Sequence, residues 1–218
     1  VARDIPERFA VKLVTVLQSA EQPKGRAIVD NSKFGICVIG HLRDEKDPLR
    51  AALAARHLPE TSAIRIINAG RAHSPEWENN ALAEQAANPR FKWLGEVDKP
   101  TIQQLMLRSR AMVISSIMEG GANVVSEACR AGLPVIASDI SGNVGLLGDD
   151  YPGYFSVGDD TDLASIIQRA EQSPEFLEEL ADRVVKLASN FTPEAEQAAL
   201  LAAMDRAVAE RARLSREA

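Results

Sequence analysis

The sequence lacks what would place it in several common classes. With two cysteines in 218 residues it carries no disulfide framework. Cys37 and Cys129 have no partner at a metal-ligand or redox spacing, so both read as buried structural thiols of a reducing compartment. No apolar run reaches the roughly 18 residues that cross a bilayer, and the N-terminus has no charged-then-apolar signal pattern, so the expectation is a cytoplasmic protein with no membrane partner. Basic charge is not in excess. The 25 Lys and Arg against 31 Asp and Glu leave a net charge of −6, a field that repels polyanions and argues against nucleic acid, while leaving room for a local basic pocket. Also missing are a G-x-G-x-x-G fingerprint after a first strand, a G-x-x-x-x-G-K-[ST] loop, H-E-x-x-H, a Cys–His cluster and G-x-S-x-G. Dehydrogenase, ATPase, metal-hydrolase and serine-nucleophile chemistry therefore lack support. There is no internal repeat, heptad run or low-complexity linker.

What is present is the pattern of an ordinary soluble domain, 45% hydrophobic and 26% charged, long enough to bury roughly 70% of its extended surface. Short apolar, often β-branched runs at 13–17, 34–39, 64–67, 112–114 and 135–137 are each followed by a loop and usually by an Ala-, Glu- and Arg-rich stretch. Runs apolar at nearly every position suit central parallel strands covered on both faces, which predicts an α/β, doubly wound parallel sheet with right-handed crossovers. Helices are predicted from Asp47-Pro48 to about His57, from Ser74-Pro75 to Asn88-Pro89, over 101–108 and over 161–170. From Pro174 onward the chain reads as helical, with a break at Asn190-Phe191-Thr192-Pro193 and a last helix from about Glu194. Trp93 follows Phe91 in a short strand and reads as a core residue.

The segment 21–32, rich in Pro, Gly and charge, is the one linker-like stretch. The chain begins at Val1 and not at an initiator methionine, which points to an excised domain or a processed product. The expected organisation is an end of a preceding domain with its linker over 1–32, a sheet domain over 33–190, and a C-terminal helix over 191–218.

Ligands of open parallel sheets bind beyond the carboxyl ends of the strands, so the loops after the apolar runs are where chemistry is sought. After 34–39 comes Gly40-His41-Leu42-Arg43-Asp44-Glu45-Lys46, a glycine turn with two fixed cations and a histidine. After 64–67 comes Asn68-Ala69-Gly70-Arg71. After 112–114 comes Ser115-Ser116-Ile117-Met118-Glu119-Gly120-Gly121-Ala122-Asn123, which leads into a helix from Val124. Gly120 and Gly121 let the backbone approach a ligand, and the helix start offers free N–H groups and the positive end of its dipole to a phosphate without a metal. Glu119 and Glu127 bracket that loop, and carboxylates suit sugar and ribose hydroxyls. Arg43 and Lys46 are fit to neutralise a departing diphosphate as a divalent cation would. Taken alone, residues 43–46 read equally well as a solvated loop with local ion pairs. The two glutamates alone read more readily as a helix N-terminal charge and a surface acid.

The run Glu119-Gly120-Gly121-Ala122-Asn123-Val124-Val125-Ser126-Glu127-Ala128, continuing from Arg130-Ala131-Gly132 to Ser138-Asp139, resembles the E-x7-E region of retaining, metal-independent glycosyltransferases with the GT-B fold. The resemblance extends back through Gly40 to Lys46, Gly70 and Gly95, and forward to about residue 170. It implies the Rossmann-like C-terminal half of such an enzyme, with no cofactor and no metal. A nucleotide-sugar donor would be held here, and a separate N-terminal domain would supply most of the acceptor site. It further implies Lys46 on the donor diphosphate, Glu127 on the ribose hydroxyls, Glu119 on the transferred sugar, and the backbone of Gly121, Ala122, Asn123 and Val124 on phosphates or sugar. His41 stands where the family usually has Arg, and Arg43 is placed to take over that charge.

A narrower resemblance, to the selenosugar synthases of selenoneine biosynthesis, lies in Gly40-His41-Leu42-Arg43-Asp44-Glu45-Lys46-Asp47-Pro48, Met118-Glu119-Gly120-Gly121-Ala122-Asn123, Ser141-Gly142-Asn143-Val144-Gly145-Leu146-Leu147-Gly148 and Asp150-Tyr151-Pro152-Gly153-Tyr154. It implies UDP-N-acetylglucosamine as donor and selenophosphate as acceptor. An ordinary oxygen acceptor, or a donor-binding module without activity, are the competing expectations.

Overall fold

The structure, a computed structural model, describes residues 5–10, 13–25, 30 and 32–217. Six parallel strands form one sheet: β1 (Phe34–Ile39), β2 (Ile64–Ala69), β3 (Phe91–Trp93), β4 (Ala111–Ile114), β5 (Val135–Ser138) and β6 (Tyr154–Phe155), in the order β3-β2-β1-β4-β5-β6. β4 and β5 are buried at every position, as strands covered on both faces must be. The covering helices are α2 (Arg50–Ala55), α3 (Pro75–Ala87), α4 (Lys99–Arg108), α5 (Asn123–Ala131), α6 (Ser141–Leu147), α7 (Asp160–Gln172) and α8 (Pro174–Leu187). A short α1 (Glu7–Ala10) precedes the sheet and a long α9 (Pro193–Glu217) follows it. Among the described residues no helix is long and apolar enough to cross a membrane.

Local chemistry accounts for the boundaries. Ser74 accepts from Trp77 N at 3.2 Å and Asp98 from Thr101 N at 3.0 Å, and Ser173 caps α8 by accepting from Phe176 N at 3.2 Å. In all three helices a proline occupies the first turn, where its missing N–H costs nothing. The Asp98 cap is why α4 starts at Lys99 and not at 101. Asp44–Lys46 is a single 3-10 turn that occupies the chain ahead of α2, which is shorter at both ends than the predicted helix.

Three expectations are corrected. Residues 13–17 form no strand; Val14 is exposed, and the stretch instead leads to Ala20, whose N–H donates to Phe191 O at 3.0 Å. The loop read after β5 contains a helix, α6, and the chain returns to the sheet as the two-residue β6. Of the linker-like stretch 21–32, residues 26–29 and 31 lie outside the described residues.

The strand order reverses between β1 and β4, whose registers align Ile36 with Ala111 and Cys37 with Met112. Crossovers leave these two strands in opposite directions, so the loops beyond their carboxyl ends diverge and open a crevice. Those loops carry Lys46 and Glu119.

Candidate functional site

Both loops are anchored to each other before any ligand is considered. Ser115 Oγ donates to the carbonyls of Lys46 and Asp47 at 3.2 and 2.8 Å, and Ile117 N donates to Glu45 O at 2.8 Å. On that frame Lys46 Nζ forms an ion pair with Glu119 Oε1, which also accepts from Ser116 Oγ at 2.8 Å. Both charged side chains are largely withdrawn from solvent, at 20% and 13% exposure. A cation and a carboxylate held this way line one cleft together, and each can take a polar group of opposite character.

Close backbone approach makes the crevice narrow. A Cβ on Gly70 would stand 2.0 Å from Gly40 O, and one on Gly142 would stand 2.2 Å from Glu119 O. Any side chain at either position would force the loops apart. Gly142 lies in α6, so this helix fixes the backbone of Glu119 from behind.

The resulting cleft has a volume of about 460 Å³. It brings together Gly40, His41, Arg43, Lys46, Gly70, Glu119, Gly121, Ala122, Asn123 and Val124, drawn from three different loops. Gln18 and Glu96, which sequence reasoning did not single out, also line it. α5 opens onto the cleft with no side chain capping it, and although Val125 N donates to Ala122 O at 2.9 Å, the N–H groups of Asn123 and Val124 at its start suit an anion. Arg43 makes a long ion pair of 3.7 Å with Glu45, and its buried Nε has no hydrogen-bond acceptor. His41 Nδ1 accepts from Arg71 N at 3.2 Å and its ring lies 5.0 Å from that of His73. Burial, then the neighbouring His73 and Arg71, depress its pKa below the usual histidine value.

Glu127 is placed differently. It lies in the first two turns of α5, where Asn123 Nδ2 donates to its Oε1 at 3.4 Å, and it lines an adjoining recess of about 290 Å³ with Glu21, Pro23, Lys99, Gln103 and Met106. Ile39, Val97 and Ile102 line both spaces, so Lys46 and Glu127 open on one side of the sheet into neighbouring chambers. Burial raises the Glu127 pKa, and the Lys99 charge opposes that shift. Gly95 and Gly120 line neither chamber. The Gly95 carbonyl instead accepts from Gly70 N at 2.9 Å, and Gly120 is exposed.

The remaining candidates do no chemistry of their own. Cys37 and Cys129 are free and buried, with thiols pushed up to about 12 by desolvation. Trp93 packs against the core and its indole N–H donates to Gly70 O at 2.9 Å. Among the described residues no three His, Cys, Asp or Glu gather where they would hold a metal ion. Ser116 and Gly142 are the supporting residues that the sequence did not reveal; Gly142 stood in a stretch that reads as a loop, where a glycine signals a turn and nothing more.

Comparison with known proteins gives three concordant findings. The family described as Glycosyl transferases group 1 matches residues 18–190. Over 136 residues the chain is 27% identical to the Escherichia coli protein named UDP-Gal:alpha-D-GlcNAc-diphosphoundecaprenol alpha-1,3-galactosyltransferase, a match covering 60% of this chain and 34% of that one. Among solved structures, Anabaena HepE in complex with UDP superposes with a TM-score of 0.72 at 20% identity, covering 80% of this chain and 49% of the other. A Staphylococcus aureus TarM variant solved with fondaparinux, alpha-GlcNAc-glycerol and UDP gives 0.70 at 17% identity, covering 87% and 38%. The chain thus spans about a third of the length of its curated relative and at most half of these structures.

Proposed function

The chain belongs to the Glycosyl transferases group 1 family, and from that premise we propose that it is the donor-binding half of a retaining, metal-independent glycosyltransferase that uses a UDP-sugar. Its sheet is the Rossmann-like architecture of the C-terminal half of the GT-B fold. The observation that carries the donor reading is the single cleft in which Lys46, Arg43, His41 and the uncapped start of α5 converge. Four positive or proton-donating groups at one point suit a diphosphate, and no metal is required to neutralise it. The UDP in the HepE and TarM structures supports uridine as the base.

In this reading the diphosphate lies between Lys46 and the Gly121–Val124 backbone. Its ribose reaches toward Glu127 in the adjoining recess, while the sugar lies against Glu119. Bond cleavage at C1 moves negative charge onto the departing phosphate. Lys46 and Arg43 lower the barrier because they stabilise that charge more than the neutral ester oxygen it replaces. The Lys46–Glu119 ion pair links the two ends, since the cation that receives the phosphate is held by the carboxylate that faces the sugar. A separate acceptor-binding domain completes the enzyme, and with retention the acceptor attacks from the face the diphosphate leaves.

The finer assignment is UDP-N-acetylglucosamine as donor and selenophosphate as acceptor. It is supported by the likeness of the stretches 40–48, 118–123, 141–148 and 150–154 to selenosugar synthases. Selenium attacks C1, the C1–O bond to UDP breaks and UDP leaves, giving a sugar 1-selenophosphate from which water cleaves the Se–P bond to release phosphate and the selenosugar. A selenium anion is already nucleophilic and needs no base to remove a proton. The name of the E. coli relative specifies UDP-Gal and an alpha-1,3 linkage, which favours an ordinary oxygen acceptor as the second reading. The deciding experiment incubates the complete protein with UDP-N-acetylglucosamine and selenophosphate and detects products by mass. A selenosugar is expected; a sugar transferred to oxygen, or no transfer with UDP still bound, selects the second reading or a binding module respectively.

A further inference from the structure

Lys46 is delivered to the cleft by a backbone conformation that needs holding. The residue that follows it, Asp47, has φ 43° and sits in the left-handed region, which L side chains rarely adopt unless their surroundings enforce it. Three contacts enforce it from the backbone. Asp47 N donates to Asp44 O at 3.1 Å, closing the turn that carries Lys46, while its carbonyl accepts from Ser115 Oγ at 2.8 Å and from Arg50 N at 3.2 Å. The side chain supplies the fourth. Arg50 Nε donates to Asp47 Oδ2 at 2.7 Å and Nη2 to Oδ1 at 3.4 Å, a two-pronged clamp with both groups largely out of solvent.

Arg50 is itself anchored at a distance. Its Nη1 donates to Asp160 Oδ1 at 3.1 Å, at the first residue of α7, and Asp160 Oδ2 lies 2.6 Å from His57 Nε2 beyond the end of α2. The guanidinium fork is pre-organised for two carboxylates at once, which a lysine ammonium cannot reproduce.

Resting on the reading of Lys46 as a diphosphate ligand, we propose that Arg50 is a positioning residue that sets Lys46 through the backbone of Asp47. It touches no substrate. Releasing the Asp47 carboxylate lets its backbone leave the left-handed region, which reorients the preceding turn and withdraws the Lys46 ammonium from the cleft. Asp160 acts one step further out by holding the Arg50 fork in plane. The cluster gives a role to an arginine, two aspartates and a histidine that line neither the cleft nor the adjoining recess.

A double-mutant cycle on the whole chain separates this role from simple bracing of α2. Calorimetric affinity for UDP is measured for the unmutated chain, Arg50→Ala, Lys46→Ala and the pair, with thermal melting of each. Arg50→Ala is expected to weaken UDP binding roughly five- to tenfold, the scale of coupling within one charge network. In the Lys46→Ala background it is expected to change affinity less than about twofold, because the group it positions is gone. Equal losses in both backgrounds, or no loss in the first, overturn the proposal. If Arg50→Ala fails to fold, Arg50→Lys and Asp160→Asn replace it, each expected to give a smaller loss that again vanishes without Lys46. Failure of the unmutated chain to bind UDP would refute the donor reading and this proposal together, and is distinguishable because it shows before any substitution is made.

Discussion

Glu119 accepts from two donors on different loops, Lys46 from the β1 side and Ser116 from its own, so a carboxylate from the β4 loop is fixed by a cation from the β1 loop. The pair spans the point where the sheet reverses its strand order. Sequence distance between them is 73 residues, and only the meeting of β1 and β4 brings them together.

Removing the cation therefore has two effects that can be separated. Lys46→Ala is expected to reduce UDP affinity about tenfold or more, the worth of a charge-assisted hydrogen bond. It also strands a Glu119 carboxylate that is 13% exposed, at a cost of about 1–3 kcal/mol in denaturant stability. Glu119→Gln in the same background removes the stranded charge and is expected to restore most of that stability without restoring binding. Unchanged UDP affinity in Lys46→Ala at matched folded fraction would remove Lys46 from the site.

Gly142→Ala tests whether α6 sets Glu119. The added methyl would meet Glu119 O at 2.2 Å and its carbonyl carbon at 2.8 Å, and backbone atoms cannot step aside as a flexible side chain can. Stability is expected to fall by about 1–3 kcal/mol, as overpacking does. Gly145→Ala in the same helix, with nothing within 4 Å of the added carbon, is the control and is expected to be neutral or slightly stabilising. Equal urea midpoints for the two variants would count against the contact.

The same helix shows where the sequence stops being legible. Gly142 is a poor helix former, and the stretch 138–143 that contains it reads as a loop; tertiary contact with the 119 carbonyl overrides local propensity. β6 has two residues, too few for any periodicity to register. Residues 13–17 mislead in the opposite sense: the run is apolar, but the chain there leads to a backbone hydrogen bond from Ala20 N to Phe191 O and not into a sheet ladder. The buried strands β4 and β5 were readable because burial on both faces demands an apolar residue at every position. Within the site, the glycine loop was visible as a turn and the glutamate pair through its resemblance to a family motif, whereas the neighbours Glu21 and Lys99 of the Glu127 recess come from distant segments with no pattern to connect them.

Glu127 is expected to trade stability for binding. Burial raises its folded-state pKa above the ordinary 4.5, so the folded state holds its proton more tightly than the unfolded chain does. Its contribution is full below the unfolded value and is lost as pH rises through the folded one, leaving ionised Glu127 destabilising at neutral pH. Glu127→Gln should therefore raise stability at pH 7 relative to the unmutated chain, with the difference vanishing near pH 4. The same substitution weakens UDP binding if the carboxylate takes the ribose diol. Urea titrations at the two pH values, beside calorimetry at pH 7, check both; a variant less stable at pH 7 would contradict the desolvation argument.

His41 is the position where a neutral donor stands among fixed cations, and its protonation is the last consequence to follow. The Arg71 N–H donating to Nδ1 leaves that nitrogen's lone pair engaged, so the neutral ring carries its proton on Nε2. Burial, His73 and Arg71 all disfavour the charged form. Because the unfolded chain protonates first, near 6.5, stability attributable to His41 is full above that value and is lost as pH falls through the depressed folded one. Asn at 41 can mimic the Nδ1 acceptor and Gln the Nε2 donor. His41→Gln is expected to flatten the stability profile between pH 7 and 5 while retaining more UDP affinity than His41→Asn, because the Gln amide alone reaches the position of Nε2–H. An anion arriving at the cleft offsets the repulsion that keeps the ring neutral, so UDP binding near pH 6 should draw a proton onto the unmutated protein beyond any taken up by His41→Gln. Calorimetry in buffers of different ionisation enthalpy reads that difference directly, and identical proton uptake by the two proteins would place His41 away from the diphosphate.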